Sequence, residues 1–371
     1  MKRKETAAGK GTSRKRRASD NTYFVIMAGG KGERFWPQST GLVPKPFVSI
    51  TGKKTLIELT VERARRVVPL DRIFVVLGRE HLPAAKKCLP RLSHGNFIIE
   101  PVGRDTAPCV GLAAMMLHGR DPDAVMVVLP SDHYVPDTAA FSRCIRETVK
   151  AACRGDHLVT IGVPPARPET GYGYIKTGRK ISAPRDADCF EVARYVEKPD
   201  LPKARRYLRD GAYFWNAGIF VWRARVLLEG LKHHMPDLHS GLLRFRKTLA
   251  AGDTHAADAI FASLPRLSID YGLMEKAKNV LMVPALFTWD DVGTWTSLLR
   301  VLPRDTTGNI LRGKTFSVDT TNCVILTDAT PVATLGVSDL VIVASKNGIL
   351  ICDASRAQEV RQIAKALGKK Q

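Results

Sequence analysis

Short runs dominated by β-branched, aliphatic and aromatic residues recur along the chain at 23–27, 73–77, 97–100, 124–129, 157–163 and 280–286. Apolarity sustained over so few positions, without alternation, predicts strands covered on both faces, as in a parallel sheet. Between them the spacing turns helical. Within 55–68, Ile57, Val61, Ala64 and Val68 share one face, and Arg63, Arg65 and Arg66 fall off it, which assigns those arginines to solvent. Residues 107–118 are apolar or small on nearly every side, so a helix there is expected to press into the core. Strand alternating with helix predicts a doubly wound, Rossmann-like α/β sheet. Beyond about residue 306 the pattern shortens to runs at 316–318, 323–326, 332–335, 340–344 and 349–352. Asn347-Gly348 is a hairpin signal between the last two. A closing helix at 357–367 carries Val360, Ile363, Ala364 and Leu367 on one face. The expected organisation is a tail at 1–22, a main domain at 23–303 and a small β-rich domain at 304–371.

Composition allows this: 371 residues, 44% hydrophobic, can bury a sizeable core. The net charge of +21 raises the question of nucleic acid. Residues 1–22 hold eight cations against two acids, including Lys2-Arg3 and the run Arg14-Lys15-Arg16-Arg17. Such a pair of clusters fits a nuclear address or a nucleic-acid arm. With nothing apolar to fold it, the segment reads first as a disordered, solvated tail, so nucleic acid is not the expected partner. No run approaches the ~20 apolar residues of a membrane span, and no secretory segment follows the basic tail. The seven cysteines stand singly, which suits reduced thiols and a cytoplasmic location.

Candidate chemistry concentrates just after the first strand, at Ala28-Gly29-Gly30-Lys31-Gly32-Glu33-Arg34-Phe35-Trp36-Pro37, followed by Pro44-Lys45-Pro46-Phe47. Glycines let backbone N–H groups close on an anion. Arg34 can grip phosphate oxygens as a planar fork, and Lys45 can serve as a mobile point charge. A Walker loop would need Ser or Thr after Gly-Lys, and a dinucleotide fingerprint would need a small residue where Phe35 stands. The loop is therefore read as a polyphosphate cradle of another kind. Pro130-Ser131-Asp132-His133 follows the 124–129 run directly, which places Asp132 at the sheet edge where the glycine loop also ends. A carboxylate facing a polyphosphate calls for a cation between them, usually Mg²⁺.

These segments resemble the sugar-nucleotide pyrophosphorylases, most closely the mannose-1-phosphate guanylyltransferase type. The glycine loop with Pro44-Lys45-x-Phe47 is similar to that family's signature, which usually has Gln at Pro46 and a small residue at Lys31. Glu100-Pro101-x-x-Arg104-Asp105-Thr106-Ala107-Pro108 is similar to its E-P-x-x-R-N-T-A-P segment near the base, with Asp105 for Asn; Asp105 or Thr106 also suits a helix cap. Glu169–Ile175, Glu197-Lys198-Pro199 and Trp215–Phe220 resemble its sugar segments, and Ser268–Lys276 a further one. Trp289-Asp290-Asp291-Val292-Gly293-x-Trp295 resembles W-x-D-V-G-x-W, in which Asp291 takes the motif position and Asp290 is expected to tolerate change.

The resemblance implies roles residue by residue. Arg34, Lys45 and Asp132 would be catalytic. Ala28, Gly29, Gly30, Lys31, Gly32, Arg104, Thr106, Pro130 and Asp132 would hold the nucleotide. Gly171, Tyr172, Gly173, Glu197, Lys198, Asn216, Gly218 and Asp291 would hold the sugar phosphate, and Asp132 with Asp291 would hold Mg²⁺. It implies GDP-mannose and pyrophosphate from GTP and mannose 1-phosphate, a small left-handed β-helix at the C-terminal end, and a homo-oligomer, a dimer. Two alternatives stay open: the same chemistry on another nucleotide or sugar 1-phosphate, and a nucleic-acid-associated regulatory protein that keeps the fold.

Overall fold

The structure, a computed structural model, describes residues 21–30, 32–181 and 187–368. The assignments made to residues 1–20 and to Lys31 fall outside the described residues.

Nine strands form the main sheet: β1 (Thr22–Met27), β2 (Ile73–Gly78), β3 (Phe97–Glu100), β4 (Val125–Pro130), β5 (Leu158–Val163), β6 (Tyr174–Lys180), β7 (Phe190–Val196), β8 (Tyr213–Arg223) and β9 (Val280–Pro284). Thr22, assigned to the tail from its sequence, is buried and opens β1 instead. The order is β3-β2-β1-β4-β8-β5-β9-β7-β6. β3, β2, β1 and β4 are mutually parallel, and their registers end together, Met27 opposite Pro130 and Gly78 opposite Glu100. The loops that leave β1 and β4 therefore emerge side by side.

β8 interrupts this pattern, lying antiparallel to both β4 and β5. Its first half alternates buried and half-buried residues, and its second half is covered on both sides. Alternate residues of β1 feed opposite layers: Phe24 and Ile26 meet Ile57, Val61 and Phe141, while Tyr23 and Val25 meet Val110, Leu227 and Leu231.

The helix Leu56–Ala64 starts at a capping box, in which Thr55 and Glu58 each accept from the other's backbone N–H. Its apolar stripe is buried as the spacing predicts. Arg63 is not solvated: it is 4% exposed, whereas Arg65 and Arg66 are exposed. The neighbouring helix Thr138–Cys153 covers that flank, and the guanidinium lies 5.8 Å from the Phe141 ring centroid.

The second unit contains β10 (Ile310–Arg312), β11 (Thr315–Val318), β12 (Val324–Thr327), β13 (Val332–Leu335), β14 (Leu340–Ser345) and β15 (Gly348–Asp353). β10, β12 and β14 stack in parallel on one side and β11 and β13 on another, as successive coils of a β-helix. β15 returns antiparallel, with Ser345 opposite Gly348, so the tight turn is Lys346-Asn347. Of the four apolar residues expected on the inner face of the closing helix, Val360–Gly368, only Val360 is buried; Ile363 is 42% and Leu367 40% exposed. That helix packs on the segment Glu33–Phe35 instead of lying along the coil. One apolar core joins both units, with Phe35, Ile50 and Trp295 packed against Val324, Val341 and Leu350.

Candidate active site

Two features shape the glycine loop. Gly30 and Gly32 adopt positive φ (96° and 61°), which glycine tolerates best. A Cβ on Gly32 would lie 2.6 Å from the Lys45 backbone nitrogen, so only glycine lets the Lys45 segment close on the loop. The β-helix unit then clamps the far side. Ser345 Oγ and Asn347 Nδ2 donate to the Pro37 carbonyl, Trp295 Nε1 donates to the Trp36 carbonyl at 3.1 Å, and the Trp36 ring packs against Gly348.

Lys45, 7% exposed, donates to the Asp132 carboxylate at 2.8 Å and to the Asp291 carbonyl at 2.7 Å. It thereby draws together the ends of three segments far apart in sequence. Burial alone would raise Asp132, but the Lys45 ammonium outweighs it and holds the carboxyl below its ordinary value. Asp291 goes the other way: burial pushes it up despite the Tyr172 hydroxyl, which donates to Oδ1 at 2.6 Å. Burial and the Asp291 charge keep the Tyr172 phenol protonated, well above the usual tyrosine range. Arg34, Lys45, Asp132 and Asp291 line one cavity of about 450 Å³.

The neighbours of these groups act as struts. Trp289 Nε1 donates to His133 Nδ1 at 3.0 Å, and since an indole nitrogen only donates, the His133 proton sits on Nε2. Burial pushes His133 down to about 4, so the ring stays neutral at physiological pH. Asp290, expected to tolerate change, is 6% exposed, takes two hydrogen bonds from Arg300 at 2.9 and 3.0 Å, and accepts from Val292 N. It is a structural keystone of the turn that presents Asp291.

A second cluster lies beside the cavity. Asn216 Nδ2 donates to Asp270 Oδ1 at 3.0 Å, and its Oδ1 accepts from Thr160 and from Gly218 N. Tyr195 also donates to Asp270, whose carboxyl burial raises. Lys198 pairs with Glu197 at 2.7 Å. A Cβ on Gly173 would lie 2.5 Å from Glu197 Oε2, so that glycine makes room for a carboxylate of this cluster. Gly171 only meets Glu169, and Gly218 (φ 64°) lies against Pro130 and His133. Tyr172, with its ring on Trp215 beside Asn216 and its hydroxyl on Asp291, joins this cluster to the cavity.

Arg104 and Thr106 line neither the cavity nor the Asn216 cluster. Thr106 Oγ1 accepts from Ile269 N, which fixes the turn carrying Asp270, and Asp105 accepts from Thr106 N at the start of the helix Thr106–Arg120. Arg104 keeps a buried Nε with no partner among the described residues.

Two cavity residues escaped the sequence reading. Arg361 and Lys365, one turn apart on the closing helix, line the same cavity as Arg34 and Lys45, and Lys365 Nζ lies 3.9 Å from Glu33 Oε2. Their i, i+4 spacing on the polar face was visible, but nothing in the chain pattern placed that helix over the glycine loop.

Among the described residues there is no group of three or more His, Cys, Asp and Glu side chains placed to hold a metal. Two carboxylates facing one cavity beside the glycine loop do fit a hard cation that takes its remaining ligands from substrate phosphates and water.

Comparison with known proteins agrees in order and extent. Residues 23–308 match the nucleotidyl transferase family, and residues 313–367 match the MannoseP isomerase/GMP-like beta-helix domain. The chain is 36% identical to mannose-1-phosphate guanylyltransferase of Escherichia coli, over 94% of this chain and 74% of that protein. It is 38% identical to alginate biosynthesis protein AlgA of Pseudomonas putida, over 92% of this chain and 71% of that protein. A crystal structure of mannose-1-phosphate geranyltransferase from Thermus thermophilus superposes with a TM-score of 0.85 at 38% identity, covering 94% of this chain and 99% of that one.

Proposed function

The chain belongs to the nucleotidyl transferase family, and from that premise we propose that it makes GDP-mannose and pyrophosphate from GTP and mannose 1-phosphate. The similarity to a mannose-1-phosphate guanylyltransferase over nearly the whole chain supports the substrate pair. The observation that carries the site is Lys45, which bonds at once to the Asp132 carboxylate and to the backbone of Asp291.

The sugar phosphate oxygen is already an anion, so no side-chain nucleophile is required. The phosphate of mannose 1-phosphate attacks the α-phosphorus of GTP, its new P–O bond forming as the bond to the leaving pyrophosphate breaks. Arg34 and Lys45 grip the phosphates and hold attacking and leaving oxygens in line. Arg361 and Lys365 add positive charge at the opening, where pyrophosphate departs. Tyr172, kept protonated, orients Asp291. Glu197 and Asn216 offer hydroxyl partners to the sugar, and Lys198 a cation to its phosphate. Arg104 and Thr106, outside the Lys45 cavity, would lie toward the base on the strength of the motif alone, and Thr106 reaches the site only through the turn that carries Asp270. Members of the family use a divalent metal; here Mg²⁺ held by Asp132 and Asp291 would neutralise charge that builds on the phosphates.

The same reading divides the chain into a catalytic unit at 23–303 and a β-helix unit at 304–371. No helix among the described residues is long and apolar enough to cross a membrane. All seven cysteines are free thiols, which supports a cytoplasmic location. A dimer is supported by Phe316 and Leu335, each 72% exposed on the β11/β13 face; sedimentation of the full chain tests it, and a monomer at all concentrations overturns it.

The test of function is a panel of nucleoside triphosphates against sugar 1-phosphates, scored by pyrophosphate release. GTP with mannose 1-phosphate should lead. UTP with glucose 1-phosphate ahead by tenfold would leave the reaction class and remove the substrate assignment.

A further inference from the structure

Behind the catalytic turn lies a second cavity, about 490 Å³, that shares no lining residue with the first. It is bounded by the 51–54 turn, the helix Leu56–Ala64 and residues 134–138. Its innermost charge is Arg63, 4% exposed. The guanidinium donates from Nη2 to Thr60 Oγ1 at 2.8 Å and to the His133 carbonyl at 3.3 Å, and its Nε is buried with no hydrogen-bond partner. Among the described residues no carboxylate pairs with it. Burial drives it down to about 10, still charged at any physiological pH.

A buried cation without a carboxylate partner is costly even with two hydrogen bonds and the Phe141 ring against it, because buried charges are ordinarily paired with an opposite charge. Here the rest of the cavity adds cations. Lys53, Lys54 and Arg66 line it, against the single carboxylate of Glu62, which Lys54 already takes at 2.6 Å. One wall is apolar or aromatic: Leu59, Tyr134, Val135 and Pro136.

We propose that this cavity is a second anion site, in which Arg63, Lys53 and Arg66 bind the phosphomonoester dianion of a small metabolite. A planar guanidinium at the base, with two flexible cations at the rim, is the donor set such a dianion requires. The apolar wall gives room for a carbon skeleton, so the occupant is either free phosphate or a phosphorylated sugar. Arg63 also holds the His133 carbonyl, next to Asp132, so the site touches the catalytic turn from behind.

The test is calorimetric titration of the full chain with mannose 6-phosphate and, separately, with inorganic phosphate. It is run in an Arg34→Ala background, which weakens anion binding in the catalytic cavity. One equivalent of probe should still bind, and adding Lys53→Ala and Arg66→Ala should weaken it at least tenfold. Both added positions are exposed, and unchanged melting temperatures would show that the fold survives. Equal affinity for the two probes identifies free phosphate as the occupant; tighter mannose 6-phosphate identifies a phosphorylated sugar. Loss of all binding on Arg34→Ala alone, or no change on adding the two rim substitutions, overturns the proposal.

Discussion

The Tyr172 hydroxyl donates to the Asp291 carboxylate at 2.6 Å while its ring packs on Trp215, beside Asn216, so it ties the Asn216 cluster to the cavity of Lys45 and Asp132. Burial favours the protonated form of Asp291, and this hydrogen bond opposes that tendency. Tyr172→Phe removes the donor and leaves the ring contacts with Trp215 and Trp289 in place. A hydrogen bond to a charged group is worth about 1.5–3 kcal/mol, so turnover should fall by about ten- to a hundredfold with little change in melting temperature. Wild-type turnover would show that Asp291 needs no such support.

Asp290 and Asp291 should separate cleanly. Asp290→Asn breaks the ion pair with Arg300 in a buried turn, while Arg300 remains about a third exposed (36%). Losing one partner of a fully buried pair costs about 3–5 kcal/mol, and partial exposure brings that to roughly 2 kcal/mol. Denaturant unfolding should show that loss, with turnover per folded molecule much less affected than by Asp291→Asn. A stability equal to wild type contradicts the structural role.

Arg361 and Lys365 approach the cavity from the closing helix, and both are exposed. Replacing both with Ala should raise KM for GTP, and for pyrophosphate in the reverse direction, by roughly tenfold in low salt and less at physiological ionic strength. KM for mannose 1-phosphate should change little. Parallel rises in both substrates' KM would indicate that the helix supports the loop's shape and not the phosphates.

Much of this was legible in the chain because strand ends and phosphate chemistry coincide there. Met27 and Pro130 close parallel strands in the same register, so the glycine loop and Asp132 had to meet. The return of Asp291 to that edge could only be inferred from its motif, since it depends on a backbone bridge between Tyr134 and Asp290. Arg63 was misplaced because helical periodicity marks one buried stripe and cannot foresee a second helix covering the flank. β8 is hard to read as a strand from the chain because Asn216 and Gly218 break its apolar run, Gly218 with a positive φ and its N–H turned to the Asn216 side chain. Arg361 and Lys365 were hidden because domain packing, through Phe35 and Val360, decides where the last helix lies.

The central claim is that Asp132 and Asp291 share one catalytic metal ion. Both stand at the same sheet edge, and Lys45 reaches the carboxylate of one and the backbone of the other. The most direct measurement is turnover against Mg²⁺ concentration for Asp132→Asn and Asp291→Asn, with melting temperatures alongside. Each change keeps the side-chain shape and removes one charge from the ligand set. Turnover should fall by orders of magnitude, with partial recovery at high Mg²⁺ and a fold that stays intact. Near-wild-type turnover of either variant at ordinary Mg²⁺ would contradict the shared-metal site.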